Sequence, residues 1–115
     1  MTVQEFELIF KEQVKKLGNT LITKRNEYAP TGDCLQNFKQ GSALLNISPE
    51  ECLFGYLTKH LCSIAEMVKS PNKYSIDKWD EKLGDVLSYG FLLKALVSER
   101  LSNSEKPSEK QLIQE

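Results

Sequence analysis

Asp77, Glu81 and Asp85 fall four residues apart in a stretch with helical periodicity, so their three carboxylates share one face. Such a row attracts cations. Mg²⁺ in particular takes one or two carboxylates and completes its shell with waters and substrate phosphates. The plainer alternative is a solvated face on which Lys78 and Lys82 offset the charge. Asp85 is the member that strains this alternative. It follows Gly84 and lies between Leu83 and Val86, at the edge of the apolar stripe. A carboxylate buried there without a partner costs about a few kcal/mol. A cation, a metal or a donor network must therefore stand near it.

Two further groups have the composition of a site. Lys59-His60 interrupts the most apolar stretch of the chain, between Leu57 and Leu61. Lys59, Ser63 and Glu66 then give that helix one polar edge. If this edge faces Asp85, an ion pair or a phosphate site follows, since a lysine ammonium suits phosphate as a point charge. His60 taken alone also reads as a core histidine satisfied by one hydrogen bond. The polar segment from Asn26 to Lys39 ends in Asn37-Phe38-Lys39. An amide beside an aromatic ring can read a nucleobase, by hydrogen bonds and by stacking, whereas an ordinary connection would bury Phe38 in the core. There is no G-x-x-x-x-G-K-S/T loop, no G-x-G-x-x-G, and no Ser or Cys nucleophile clearly paired with the single histidine.

Helices must position these groups. Val3, Phe6, Phe10, Val14, Leu17, Leu21 and Tyr28 recur at helical steps, with Thr2 and Glu5 as a capping box. Gly18-Asn19 kinks this helix or is carried through it at a cost of about 1 kcal/mol. It should end near Tyr28, because Pro30 forces Ala29 out of the α region. Asp33 is the expected cap of a short helix through Leu35, Phe38 and Leu44-Leu45, which Gly41 weakens. Ser48-Pro49-Glu50-Glu51 offers a cap, a proline at the first helical position and a capping box. The helix after it runs to about Lys69. A last helix starts at Ser75 or Ile76, keeps Lys94 in solvent and fades by Asn103. The expectation is an all-α bundle of three long helices and one short one spanning residues 1–103, with a polar, mobile tail over 104–115.

Composition narrows the partners. The chain has 115 residues, enough for one core, with 15 basic and 16 acidic residues. A net charge of −1 provides no field for a nucleic-acid backbone, so nucleic-acid binding is not favoured. The first residues lack a signal-peptide layout, and no apolar run reaches the ~20 residues of a membrane span. Cys34, Cys52 and Cys62 form an odd set without a C-x-x-C pair, which fits a reducing, cytoplasmic setting rather than thiolate metal ligation. Cys52 and Cys62 are expected in the core. Cys34 falls in a polar loop.

Lys24-Arg25-Asn26-Glu27-Tyr28, Asn37-Phe38, Lys59-His60 and an acidic helix with Asp85 and Tyr89 together resemble the nucleotide modification associated domain proteins common in phages of low-GC Gram-positive bacteria. Those are similar to the all-α nucleotide pyrophosphohydrolases, the MazG-like enzymes and dimeric dUTPases. The resemblance covers roughly Glu5 to Leu101. It implies Mg²⁺ held by acids of two helices and hydrolysis of a (deoxy)nucleoside triphosphate to monophosphate and pyrophosphate. It also implies a homo-oligomer. Asp85 matches the aspartate of the superfamily's E-x-x-D motif. Lys82 stands where the glutamate should be, and Glu81 is one place off. The E-E-x-x-E motif has no counterpart among Glu50, Glu51 and Glu66. The resemblance thus assigns Glu81 and Asp85 to metal and Lys59 to phosphate. Asn37 and Phe38 go to the base, His60 orients a carboxylate or phosphate, and Tyr89 lines the substrate. The alternative is a small helical module that binds a nucleotide, or inhibits a host protein, without catalysis.

Overall fold

Three helix starts are set by side chains that satisfy free backbone N–H groups. Thr2 and Glu5 cap each other's amides at 3.0 and 3.1 Å. Ser48 Oγ accepts from Glu51 N–H at 3.1 Å, while Glu51 Oε1 accepts from Ser48 N–H at 3.2 Å. Ser75 Oγ accepts from Lys78 N–H. The helices that follow are α1 (Val3–Glu27), α2 (Gln36–Leu45), α3 (Pro49–Met67) and α4 (Ile76–Glu105), with a single 3-10 turn at Pro71–Lys73. This computed structural model describes residues 1–27 and 32–105. Among them there is no strand, and no helix is long and apolar enough to cross a membrane.

Several boundaries differ from the sequence expectation. At Gly18, where the sequence left a kink or a continuous helix open, α1 runs through without a break. Asp33 does not cap α2. The N-cap position belongs to Leu35, which offers no side-chain acceptor. Asp33 Oδ1 instead accepts from Leu35 N–H at 3.0 Å, and its other oxygen pairs with Lys39 at 2.7 Å. The carboxylate builds the turn before the helix rather than its first hydrogen bond. α3 ends at Met67, and α4 continues to Glu105 rather than fading by Asn103. The expected helix end at Tyr28 and the tail from residue 106 lie outside the described residues. Cys52 is buried as expected, but Cys62 is exposed. Ten helical residues rotate a side chain by about 80° from its starting direction, enough to leave the core.

α3 and α4 form an antiparallel hairpin. Trp79 closes its turn, donating from Nε1 to the Pro71 carbonyl at 3.2 Å with Tyr74 edge-on against its ring. α2 packs on α3, and α1 packs on α4. The core gathers Leu35, Phe38, Leu53, Leu92 and Leu96, with Leu21, Tyr89 and Leu93 around them. Phe38 and Leu53 are its largest fully buried side chains. Ion pairs pin the rim. Lys16 meets Asp80 at 2.9 Å, Lys39 meets Glu99 at 2.6 Å, and Arg100 grips Glu50 with two hydrogen bonds of 2.6 and 2.7 Å.

Gly41 has a packing reason. A Cβ at this position would stand 2.6 Å from Cys52 Sγ, so the glycine lets α2 lie close on α3. Gly41→Ala should therefore cost about 1–3 kcal/mol through overpacking, despite alanine's better helix propensity. In a Cys52→Ala background the same change should be neutral or stabilising. Denaturant midpoints of the four proteins check this, and additive effects would refute the contact.

The rim also sets a pH dependence. Arg100 holds the Glu50 carboxyl below its ordinary value of 4.5, and Lys39 holds that of Asp33 below 3.8. Lowered folded-state values mean that these contacts stabilise fully above the ordinary values and are lost as pH falls through the lowered ones. Urea melts taken from neutral to acid pH should show stability falling below about pH 4.5, less steeply in Glu50→Gln. Equal acid limbs in the two proteins would show that the pair contributes nothing.

Candidate functional site

Helical spacing aims residues of all four helices into one recess. On α4, Asp85, Tyr89 and Leu92 follow at steps of four and three, and Ser88 flanks them. On α3, Tyr56 and His60 are four apart. α1 supplies Leu21, Lys24 and Arg25 from its last two turns, and α2 supplies Asn37 from its first. Together they line a recess of about 350 Å³.

The polar centre of this recess is a pair. His60 Nδ1 lies 3.4 Å from Asp85 Oδ2, and both side chains are about three-quarters buried, with 21% and 24% exposure. Asp85 thus has the partner its position demanded, supplied by the histidine. The expected polar edge of α3 does not face it. Lys59 and Glu66 are exposed, and Lys59 lines neither the recess nor its neighbour.

One wall is aromatic. Tyr89 lies 5.2 Å from His60, ring to ring. The Tyr56 ring is nearly parallel to that of Tyr89, with centroids 6.3 Å apart and planes 8° from parallel. Phe38 stands under this wall, edge-on to both tyrosines, and is only 1% exposed. The expectation that Phe38 stacks on a base is corrected here, because its faces are already covered. The aromatic surface open to a ligand is that of Tyr56 and Tyr89. Arg25 occupies one side of Phe38, its guanidinium 5.7 Å from the ring centroid. Its Nη1 donates to the Cys34 carbonyl at 2.9 Å and, at 3.4 Å, to Asn37 Oδ1. This link fastens the end of α1 to the start of α2 and orients Asn37.

A second recess, about 180 Å³, runs between α1 and α4 and shares Lys24, Asp85 and Ser88 with the first. Glu81 lines it beside Asp80, which is paired with Lys16. Asp85 therefore stands where the two spaces join, and Glu81 belongs to the smaller one. Lys24 lines both spaces and makes no hydrogen bond or ion pair among the described residues. Among the described residues no three His, Cys, Asp or Glu side chains come together to hold a metal.

The structure thus gathers Asn37, His60, Asp85 and Tyr89 in one recess. It puts Phe38 beneath, Glu81 next door and Lys59 outside. The sequence reading missed Tyr56 and Ser88 and gave Lys24 no task. Helical spacing held the signal for the first two, since Tyr56 is one turn before His60 and Ser88 nearly one turn after Asp85. Lys24 becomes visible only once α1 is laid parallel to α4. Comparison with protein-family models, with curated proteins and with solved structures gives no match for this chain.

Proposed function

We propose that this chain binds a nucleotide in the four-helix recess. The observation that carries this reading is the Tyr56–Tyr89 wall beside the uncommitted ammonium of Lys24. A flat aromatic ligand stacks on such a wall, and its phosphate finds Lys24. Asn37 and Ser88 offer hydrogen bonds to base or sugar, and His60, braced by Asp85 through Nδ1, presents Nε2 as an acceptor to a ribose hydroxyl. The volume lies at the small end of ligand sites, which suits one nucleotide. Three free cysteines agree with a reducing cytoplasm, that of a bacterial host for a phage-type protein.

A second reading adds hydrolysis. Its support is the neighbouring recess, where Glu81 and Asp85 stand one helical turn apart beside Lys24. Two carboxylates fit a single Mg²⁺ that keeps waters and takes substrate phosphates, but not the multi-metal cluster of the pyrophosphohydrolases. Bound there, Mg²⁺ would neutralise the phosphate chain whose α–β link is cut. His60 would hold Asp85 in place, and Lys24 would orient the phosphates. The non-catalytic module, whether it holds a nucleotide or blocks a host protein, needs only the first recess.

Calorimetric titration with each nucleoside mono- and triphosphate, with and without Mg²⁺, tests both. Binding should raise stability by ~2.7 kcal/mol at one hundred times the dissociation constant. Tyr56→Ala should remove a stacking contact of about 1–3 kcal/mol, a loss of roughly 5- to 150-fold in affinity. Lys24→Ala should weaken triphosphates more than nucleosides. No heat and no thermal shift with any nucleotide would sink the reading. Pyrophosphate release no greater than that of Asp85→Ala would leave binding and remove hydrolysis.

A further inference from the structure

The apolar stripe of α1 is only half covered. Leu17 and Leu21 pack against α4, but Val3, Phe6, Phe10 and Val14 continue the same stripe into solvent, and Phe6 and Phe10 are each 59% exposed. Every residue before Gln13 is exposed. The cause is geometric. α1 runs parallel to α4, with Lys16 beside Asp80 and Lys24 beside Ser88. α1 meets α4 through Gln13 at Gly84 and Lys16 at Asp80, so the exposed residues before Gln13 lead toward and past the start of α4 at Ile76 as an arm. Among the described residues, none covers the apolar side chains of the arm.

The hairpin has the complementary defect. Phe54 and Leu61 on α3 and Val68 at its C-cap recur every seven residues, and Leu83, Leu87 and Phe91 every four on α4, all exposed and none lining the recess. Gly90 is exposed on the same helix, with open space where its Cβ would be. The arm's stripe is about 17 Å long, and the α3 stripe about 21 Å.

We infer that the arm of one chain docks on the α3–α4 face of a second copy, and the second copy's arm docks in return. Three observations select this occupant. Each face lacks what the other offers, and a two-fold exchange covers both at once and closes the assembly. The two faces together carry on the order of 1,000 Å² of exposed side-chain surface per chain, against about 800 Å² per partner in a stable interface. The arm also carries Glu5, Glu7 and Glu12 against Lys11, which disfavours an anionic lipid surface as its resting place. The inference specifies the homo-oligomer expected from sequence and is independent of whether the recess binds a nucleotide.

Sedimentation equilibrium of the full chain tests it. The expected mass is twice the chain mass of 13.1 kDa. Phe10→Lys and Leu87→Glu, each on solvent-facing positions of the single chain, should weaken the dimer at least about 30-fold while far-UV circular dichroism stays unchanged. Both changes in one chain place opposite charges across each contact and should recover much of the dimer. A wild-type chain that stays monomeric at ~100 µM overturns the inference. So does disruption by Leu87→Glu alone with Phe10→Lys silent, which would mean that hairpin faces pair directly and the arm stays free.

Discussion

Phe38 is where the four helices meet. Its ring comes from α2 and stands edge-on to Tyr56 of α3 and Tyr89 of α4, at 6.1 and 6.4 Å, while Arg25 of α1 covers its remaining side. Edge-to-face aromatic pairs and a cation over a ring each add stabilisation beyond simple burial. The arrangement matters because α2 has only ten residues and cannot hold a place by its own helical stability. Phe38 fixes it from one end, and the close approach at Gly41 and Cys52 fixes it from the other. Asn37 precedes Phe38 in the chain, so the ring that fills the core also sets the amide at the rim of the recess. The walls of the recess and the packing of the core are one construction.

The polar pair above this core is held more loosely. A charge-assisted hydrogen bond has its optimum near 2.7–2.9 Å, and His60 Nδ1 stands 3.4 Å from Asp85. Each group is partly open to solvent, which lowers the cost of keeping it there. Such a pair can turn toward a third polar group at little expense, unlike Arg100 and Glu50, whose two short hydrogen bonds commit both partners. The molecule thus separates two kinds of electrostatics. Tight ion pairs sit on the rim between helices, and a slack histidine–carboxylate contact sits in the recess where a ligand has to compete.

The helices and their caps were legible because they are local. Thr2 with Glu5 and Ser48 with Glu51 need only a spacing of three residues, and the structure has both boxes. Asp85 was legible as a problem, a carboxylate on an apolar edge, but its solution was not. The wide stripe of α3 leaves open which side meets α4. A rotation of about 100° decides whether Lys59 or His60 faces Asp85. The same ambiguity let Phe38 read as a ligand platform when it is the core, and let Cys62 read as core when it is surface. Gly41 looked like a weak point because its compensation, the approach to Cys52, is a tertiary contact. Lys24 stood in the sequence only within the motif that carried the resemblance, and its place between two recesses depends on α1 lying beside α4.

α1 is the helix on which the two unsettled surfaces meet. It touches the fold through α4 and through the Arg25 link to Cys34 and Asn37, and among the described residues its first half is exposed. Yet it brings Lys24 and Arg25 to the recess, while the aromatic wall comes from α3 and α4. A ligand that bridges Lys24 to Tyr56 and Tyr89 therefore joins the least supported helix to the best supported pair. Whatever favours the docked position of α1 also favours that bridge, and the bridge in turn favours docking, because linked equilibria act equally in both directions. The exposed arm and the recess lie at opposite ends of one continuous helix of 25 residues. Contacts that steady the arm thereby limit how far Lys24 can swing from the tyrosines.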